Sequence, residues 1–147
     1  MVKRGGLGSP EPERRPFVVT KVAVIDDSDT ALEWVKTNLP SLGFEISTYN
    51  TPIGTQAFII TTKPDLLLLD VRMPGLDGDV LCKMIKSNPK TRDTIIALYS
   101  EMGEAELAEV ASRCSADGYI KKTENATLLA KKINELLLIK KGIRPRR

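Results

Sequence analysis

The sequence predicts a doubly wound α/β domain built on a five-stranded parallel sheet. Four consecutive leucines, Leu66–Leu69, form an apolar run without polar alternation, which is typical of a parallel strand covered on both faces. Residues 22–25 form a second run of this kind. Apolar and amphipathic segments alternate along the chain with short connections, which favours right-handed crossovers. The expected strand order is 2-1-3-4-5, with the first and third strands side by side.

Each predicted element has a local signal. Ser28 or Asp29 caps the first helix, whose apolar residues recur at three- and four-residue spacing as far as Pro40. Thr51 and Pro52 predict an N-cap and a first-turn proline for the second helix. The strands are predicted at residues 22–25, 44–49, 66–69, 94–99 and 118–122, and the later helices at residues 51–63, 79–87, 104–114 and 126–140.

The helical patterns also predict burial. In the third helix, Val80, Leu81, Met84 and Ile85 form the predicted buried stripe. The final helix places six apolar residues toward the sheet and leaves three others largely outside that stripe. The predicted buried residues of the final helix are Ala126, Leu129, Ala130, Ile133, Leu136 and Leu137, and the outlying ones are Leu128, Leu138 and Ile139.

The composition excludes several classes of function. The chain of 147 residues contains no histidine, which rules out serine-histidine and cysteine-histidine nucleophile pairs and imidazole metal ligands. Its two cysteines, Cys82 and Cys114, lie in helical patterns and are predicted to be small buried groups rather than metal ligands or a disulfide. No apolar run has the length of a membrane span or a secretory signal. We therefore expect a cytoplasmic protein without a membrane partner.

The net charge of +3 comes from the chain ends. Residues 17–139 carry 13 basic and 17 acidic side chains, whereas residues 140–147 carry five basic side chains and no acidic one. We expect residues 1–16 to be a disordered extension, residues 17–140 a folded domain and residues 141–147 a basic tail. Solubilising or linker segments are the simplest interpretation of the ends, and an anionic partner is the alternative.

Carboxylates follow the two strands predicted to be neighbours. Asp26 and Asp27 end the first strand, and Asp70 ends the third just before Pro74 and Gly75. The carboxyl ends of parallel strands meet at one edge of the sheet, where ligands bind in such folds. Three adjacent carboxylates repel one another and raise each other's affinity for a proton or a cation. Mg²⁺ suits this site because it prefers oxygen ligands and keeps some of its waters.

Taken together, these residues closely resemble the receiver domain of two-component response regulators, which has the flavodoxin-like, CheY-like fold. The resemblance spans about residues 21–138. The separations from Asp27 to Asp70, Ser100 and Lys122 are 43, 30 and 22 residues in succession, as in that family. The remaining matches are Asp26, the Met73-Pro74-Gly75 and Asp77-Gly78 turns, and Tyr119 in the fifth strand.

The resemblance implies a chemistry for the acidic site. Asp70 is the nucleophile that accepts a phosphoryl group from the phosphohistidine of a sensor histidine kinase or a phosphotransfer protein. Mg²⁺ is bound directly by Asp27 and Asp70, through water by Asp26, and by the backbone carbonyl of Arg72. Lys122 neutralises charge on the transferring group.

The resemblance also implies a switch. Ser100 donates its hydroxyl to a phosphoryl oxygen, and Tyr119 rotates into the space that the loop vacates. This changes the surface of the fourth helix, fifth strand and fifth helix, to which a downstream protein or a second copy of the chain binds. The expected function is signalling, apparently stand-alone without an output domain, with neither enzyme activity of its own nor direct nucleic acid binding. Lys121, by contrast, is expected to face solvent.

Three residues depart from the family pattern. Thr123 replaces the usual proline after the lysine, and Glu101 replaces a small residue. Arg72 lies where the family tunes the lifetime of the acyl phosphate, and a pair between Arg72 and Glu101 is one possibility. The leading alternative is a receiver-like interaction scaffold that is little phosphorylated. A phosphohydrolase of the haloacid dehalogenase type would need a carboxylate at position 72, and a nucleotide-binding protein would need glycines where Asp26–Asp29 would repel phosphate.

Overall fold

The computed structural model describes residues 19–142. Five parallel strands form one sheet in the order β2-β1-β3-β4-β5, which confirms the predicted topology. The predicted extension, residues 1–16, lies outside the described residues, as do residues 143–147 of the predicted tail at 141–147, whereas Lys141 belongs to the last helix. The strands are β1 (Thr20–Ile25), β2 (Phe44–Tyr49), β3 (Leu66–Leu69), β4 (Ile95–Ser100) and β5 (Gly118–Lys121), and the helices are α1 (Asp29–Asn38), α2 (Thr55–Thr62), α3 (Gly78–Ser87), α4 (Glu104–Arg113) and α5 (Ala126–Lys141), with a 3-10 helix at Pro40–Leu42.

The sheet separates two apolar layers. Successive side chains of a strand point to opposite faces, so the four leucines of β3 divide evenly between them. Leu66 and Leu68 pack with residues of α1 and α5, and Leu67 and Leu69 pack with residues of α2, α3 and α4. All four leucines are fully buried. Helices therefore cover both faces of the central strand, as its unbroken apolar sequence predicted.

The second helix begins later than predicted, at Thr55 rather than Thr51. The Thr51 hydroxyl oxygen accepts a hydrogen bond from the backbone N–H of Ile53 at 3.2 Å, and the Thr55 hydroxyl donates to the Pro52 carbonyl at 2.7 Å. Gly54 then adopts a left-handed conformation with φ of 84°, which interrupts a right-handed helix. Thr51 and Pro52 thus form a turn before α2. The third to fifth helices and the fourth and fifth strands have bounds within one residue of the prediction.

The third helix buries a different stripe from the predicted one. Leu81, Cys82 and Ile85 are buried, whereas Val80 and Met84 are each 46% exposed. The core-facing side of α3 therefore contains Cys82 together with Leu81 and Ile85, and Val80 and Met84 lie outside it. In α5 the residues that contact the core are those predicted: Leu129, Ala130, Ile133 and Leu137 are buried, Ala126 and Leu136 pack at the margin, and Leu128, Leu138 and Ile139 are exposed.

Both cysteines behave as the sequence predicted. Cys82 of α3 and Cys114, the C-cap of α4, are free thiols buried in the same apolar layer. Within residues 19–142, no helix combines the length and the apolar character that a membrane crossing requires.

Candidate metal centre

The carboxylates converge because of the strand register. Ile25 of β1 is paired with Leu69 of β3, so the residues that follow them emerge side by side. The Asp70 N–H continues the pairing by donating to the Ile25 carbonyl at 2.9 Å. Asp26, Asp27 and Asp70 each offer one carboxylate oxygen, and these three oxygens lie within 4.8 Å of one another. The predicted acidic cluster is therefore present at the carboxyl edge of the sheet.

Asp26 is the most deeply buried member of this cluster, with 1% of its surface exposed. Its Oδ1 accepts a hydrogen bond from the Ser28 N–H at 2.9 Å. Its Oδ2 has no hydrogen-bond partner among the described residues, although the Lys122 ammonium lies 2.7 Å away. A buried carboxylate is costly unless a cation compensates it, and the Lys122 ammonium does so for Asp26. The cluster still holds three carboxylates beside this one ammonium, and oxygen donors of this kind fit Mg²⁺.

Lys122 provides the positive charge of the site. Its Nζ lies 2.7 Å from Asp26 Oδ2 and 3.5 Å from Asp70 Oδ1, and its side chain is 18% exposed. The ammonium also lies 5.7 Å above the ring of Tyr99. Burial lowers the pKa of Lys122, but the close contact with the Asp26 carboxylate and the charges of Asp70 and Asp26 outweigh that effect and raise the pKa above its ordinary value. Lys122 is therefore held in its charged form between two carboxylates.

Asp70 has an elevated affinity for protons. Burial raises its pKa from 3.8 to about 6, the charge of Lys122 opposes this rise, and the charges of Asp26 and Asp27 add to it. The ammonium of Lys122 thus does not fully offset the burial and the neighbouring acids. Additional positive charge at the site would stabilise the ionised form of Asp70.

A cleft of about 690 Å³ opens beside the carboxylates. Asp26, Asp27, Asp70 and Lys122 all line it, and so do Trp34 of α1, Tyr99, Glu101, Lys121 and Thr123. Ser100 does not line it. Ser100 is buried at the end of β4, and its hydroxyl oxygen accepts a hydrogen bond from the Met102 N–H at 3.2 Å.

The side chains of the other predicted residues are exposed. Tyr119 is 42% exposed on β5, so it occupies an outward position rather than the core. The Arg72 side chain is exposed, and no ion pair joins it to Glu101 among the described residues. Glu101 is exposed and lines the cleft. The suggested ion pair between Arg72 and Glu101 is therefore not formed in this conformation.

Two contacts at the site were not predicted. Lys121 was expected to face solvent alone, but its ammonium donates hydrogen bonds to the carbonyls of Glu101, at 2.7 Å, and Met102, at 3.4 Å. Tyr99 is buried beside Lys122. Burial raises the pKa of Tyr99 to about 12, and the nearby backbone of Thr123 partly offsets this rise.

The fold and the site together define a receiver domain, with a 2-1-3-4-5 parallel sheet and an acid cluster beside a lysine at its carboxyl edge. The chain belongs to the response regulator receiver domain family, whose model matches residues 22–134.

Individual relatives agree with this assignment. The chain is 24% identical over 117 residues to the DNA-binding dual master transcriptional regulator RpaA of Synechocystis, and the match covers 80% of this chain and 48% of that protein. The signal receiver domain of a signal transduction histidine kinase from Syntrophus aciditrophicus is similar, with a TM-score of 0.72, 26% identity, and coverage of 87% of this chain and 97% of that one. The chemotaxis response regulator CheY4 of Vibrio cholerae has the same fold, with a TM-score of 0.73, 23% identity, and coverage of 81% and 99%. The chain thus spans about half the length of RpaA.

Proposed function

We propose that this receiver domain is phosphorylated on Asp70 by a sensor histidine kinase or a phosphotransfer protein. The observation that carries the proposal is the grouping of three carboxylates within 4.8 Å beside the Lys122 ammonium. A carboxylate oxygen of Asp70 attacks the phosphorus of a phosphohistidine, the P–N bond breaks, and the released imidazole takes a proton from solvent. Lys122, 3.5 Å from Asp70 Oδ1, supports the charge on the transferring group without entering the covalent chemistry.

Mg²⁺ is the proposed cofactor. Asp27 and Asp70 would bind it directly, Asp26 through water, and Arg72 through its backbone carbonyl. The three carboxylates within 4.8 Å beside a single ammonium and the raised pKa of Asp70 support a site that binds an additional cation. When bound, the ion supplies positive charge to the phosphoryl oxygens.

Phosphorylation is tested by incubating the protein with Mg²⁺ and a small phosphodonor, or with a phosphorylated histidine kinase, and measuring the mass. We expect one added phosphoryl group, located on Asp70. Asp70→Asn should lose it because an amide is a poor nucleophile, whereas Asp93→Asn, at an exposed loop position, should react like the parent. Modification of Asp70→Asn at the parent's rate would contradict the assignment. No modification of the parent by any phosphohistidine donor would favour the scaffold alternative.

The proposed output surface consists of α4, β5 and α5. A groove of about 320 Å³ on this surface is lined by Tyr119, Leu136 and Ile139 together with charged side chains that include Glu104 and Lys132. Ile139 is 76% exposed. Exposed apolar residues rimmed by charges are typical of protein-binding surfaces. The proposed partner is a downstream protein or a second copy of the chain.

Coupling between this surface and Asp70 is tested with beryllofluoride, which mimics the phosphoryl group, in the presence of Mg²⁺. We expect amide signals from Glu104 to Ile139 to shift and self-association or partner binding to strengthen, because Ser100 and Tyr119 connect the two regions. The same titration of Asp70→Asn is the control. Shifts limited to the loops at Asp26, Asp70 and Lys122, with no change in association, would show that the surface is not coupled to the site.

A further inference from the structure

We propose that Lys121 is a positioning residue that holds the loop after Ser100 in the conformation seen here and thereby opposes occupation of the site by a phosphoryl group. This inference rests on the proposed function. Its main observation is the pair of hydrogen bonds from the Lys121 ammonium to the carbonyls of Glu101 and Met102. These are the two residues that directly follow Ser100.

In this loop the Ser100 hydroxyl is engaged within its own turn and does not line the cleft. Its hydroxyl oxygen accepts from the Met102 N–H within the same short turn. Tyr99 and Glu101, the neighbours of Ser100 on both sides, line the cleft beside Asp70, but Ser100 does not. We therefore infer that the turn shifts when the Ser100 hydroxyl contacts a phosphoryl oxygen on Asp70. Such a shift moves the carbonyls that Lys121 contacts.

The strand pairing fixes the position of Lys121 beside Ser100, so that its ammonium can resist a shift of the loop. Lys121 is paired with Ser100 in the register of β4 and β5, and the N–H of Lys122 donates to the Ser100 carbonyl at 2.8 Å. Lys121 and Tyr119 are two residues apart on β5, so they project from the same face of the sheet. The ammonium therefore contacts the loop on the side of the sheet where Tyr119 is exposed. Movement of the loop toward Asp70 would break the hydrogen bonds that the ammonium donates to the loop carbonyls.

Two effects of removing this ammonium have opposite signs. Lys121 lines the cleft, so loss of its charge alone would weaken the binding of an anionic phosphoryl mimic. Loss of the two hydrogen bonds would instead favour the shifted loop and strengthen binding. Because Lys121 is exposed, its charge is screened by solvent, and we expect the hydrogen bonds to dominate. The direction of the change therefore distinguishes a positioning role from a general electrostatic one.

The test is a titration of beryllofluoride with saturating Mg²⁺, followed by the fluorescence of Trp34, which is the single tryptophan of the sequence and lines the cleft. Lys121→Met should bind the mimic about three- to tenfold more tightly than the parent, as expected for a charge-assisted hydrogen bond at a solvated site. Lys121→Arg, which keeps the donors, should stay near the parent. Lys131→Met, at an exposed position of α5, is the matched control, and all variants should bind Mg²⁺ alone equally well.

A second measurement does not depend on phosphorylation. In the protein without beryllofluoride, hydrogen exchange at the Met102 amide should be faster in Lys121→Met than in the parent and in Lys131→Met, because the turn is no longer held. Equal or weaker binding of the mimic by Lys121→Met, or unchanged exchange at Met102, would overturn the inference. If the parent itself binds no beryllofluoride, the proposed function fails, and the exchange rates still decide whether Lys121 holds the loop.

Discussion

Gly78→Ala is expected to destabilise the protein by about 2–4 kcal/mol and to impair the acidic site. A Cβ at position 78 would overlap the backbone carbonyl of Asp70 and lie 3.0 Å from the Cα of Val71. Neither atom can move freely, because the Gly78 N–H donates to the Val71 carbonyl at 2.6 Å and Val71 is buried. The backbone that carries Asp70 must therefore shift.

Thermal unfolding and Mg²⁺ titration would measure both effects. For a chain of this length, the loss of stability corresponds to a decrease in melting temperature of roughly 5–15 °C, and Mg²⁺ affinity should fall because the Asp70 carboxylate is displaced. Gly103→Ala is the matched control, since a Cβ there has no neighbour within 4 Å. It should cost only about 0.5–1 kcal/mol, for a poorer N-cap of α4. Equal stability and Mg²⁺ affinity in Gly78→Ala and Gly103→Ala would contradict this role for Gly78.

The sequence predicted the central strands and the acidic cluster well because both leave a local pattern. A strand covered on both faces reads as a continuous apolar run, as Leu66–Leu69 does, and the register of a parallel sheet then brings Asp26 and Asp70 together. The start of α2 was missed because Thr51 and Thr55 hydrogen-bond to nearby backbone groups. Such bonds compete with helix caps, and they involve the same residue types.

Long-range contacts of lysines escaped the sequence analysis for a different reason. Lys121 contacts carbonyls about 20 residues away, and Lys86 binds the Asp117 carboxylate at 2.7 Å, 31 residues along the chain. In both cases an ordinary surface lysine in the sequence becomes a specific donor only once the sheet brings two loops together. The resemblance to the receiver family included Gly78, but the physical reason, its close approach to Asp70, appears only in the fold.

Lys122→Met is expected to destabilise the protein without Mg²⁺ by about 3 kcal/mol. Asp26 is almost completely buried, and the Lys122 ammonium, 2.7 Å from its Oδ2, compensates a charge that would otherwise be isolated. Lys36→Met is the control, since Lys36 contacts Glu33 at 3.6 Å with both side chains exposed and such pairs contribute at most about 0.5 kcal/mol. Equal melting temperatures of Lys122→Met and Lys36→Met would show that Lys122 does not compensate the buried acids.

Asp70→Asn should have the opposite effect. Because the pKa of Asp70 in the folded protein is raised to about 6, the folded state favours the neutral form, and the ionised form costs stability. Removing that charge should stabilise the metal-free protein by about 1–3 kcal/mol above pH 6. As the pH falls through 6 toward 3.8, Asp70 becomes protonated in the parent and the advantage of Asp70→Asn should disappear.

Mg²⁺ links these two variants. A ligand at 100 times its dissociation constant stabilises the folded state by about 2.7 kcal/mol, and the ion adds the positive charge that Lys122→Met lacks. Saturating Mg²⁺ should therefore restore most of the stability lost in Lys122→Met and raise the melting temperature of the parent, whereas it should stabilise Asp70→Asn much less because one anionic ligand is gone. Melting curves at pH 7 with and without Mg²⁺ measure all three responses. A Mg²⁺-induced increase of the same size in the parent and in Asp70→Asn would show that the ion binds away from Asp70, because only a site that includes this carboxylate makes the response depend on its charge.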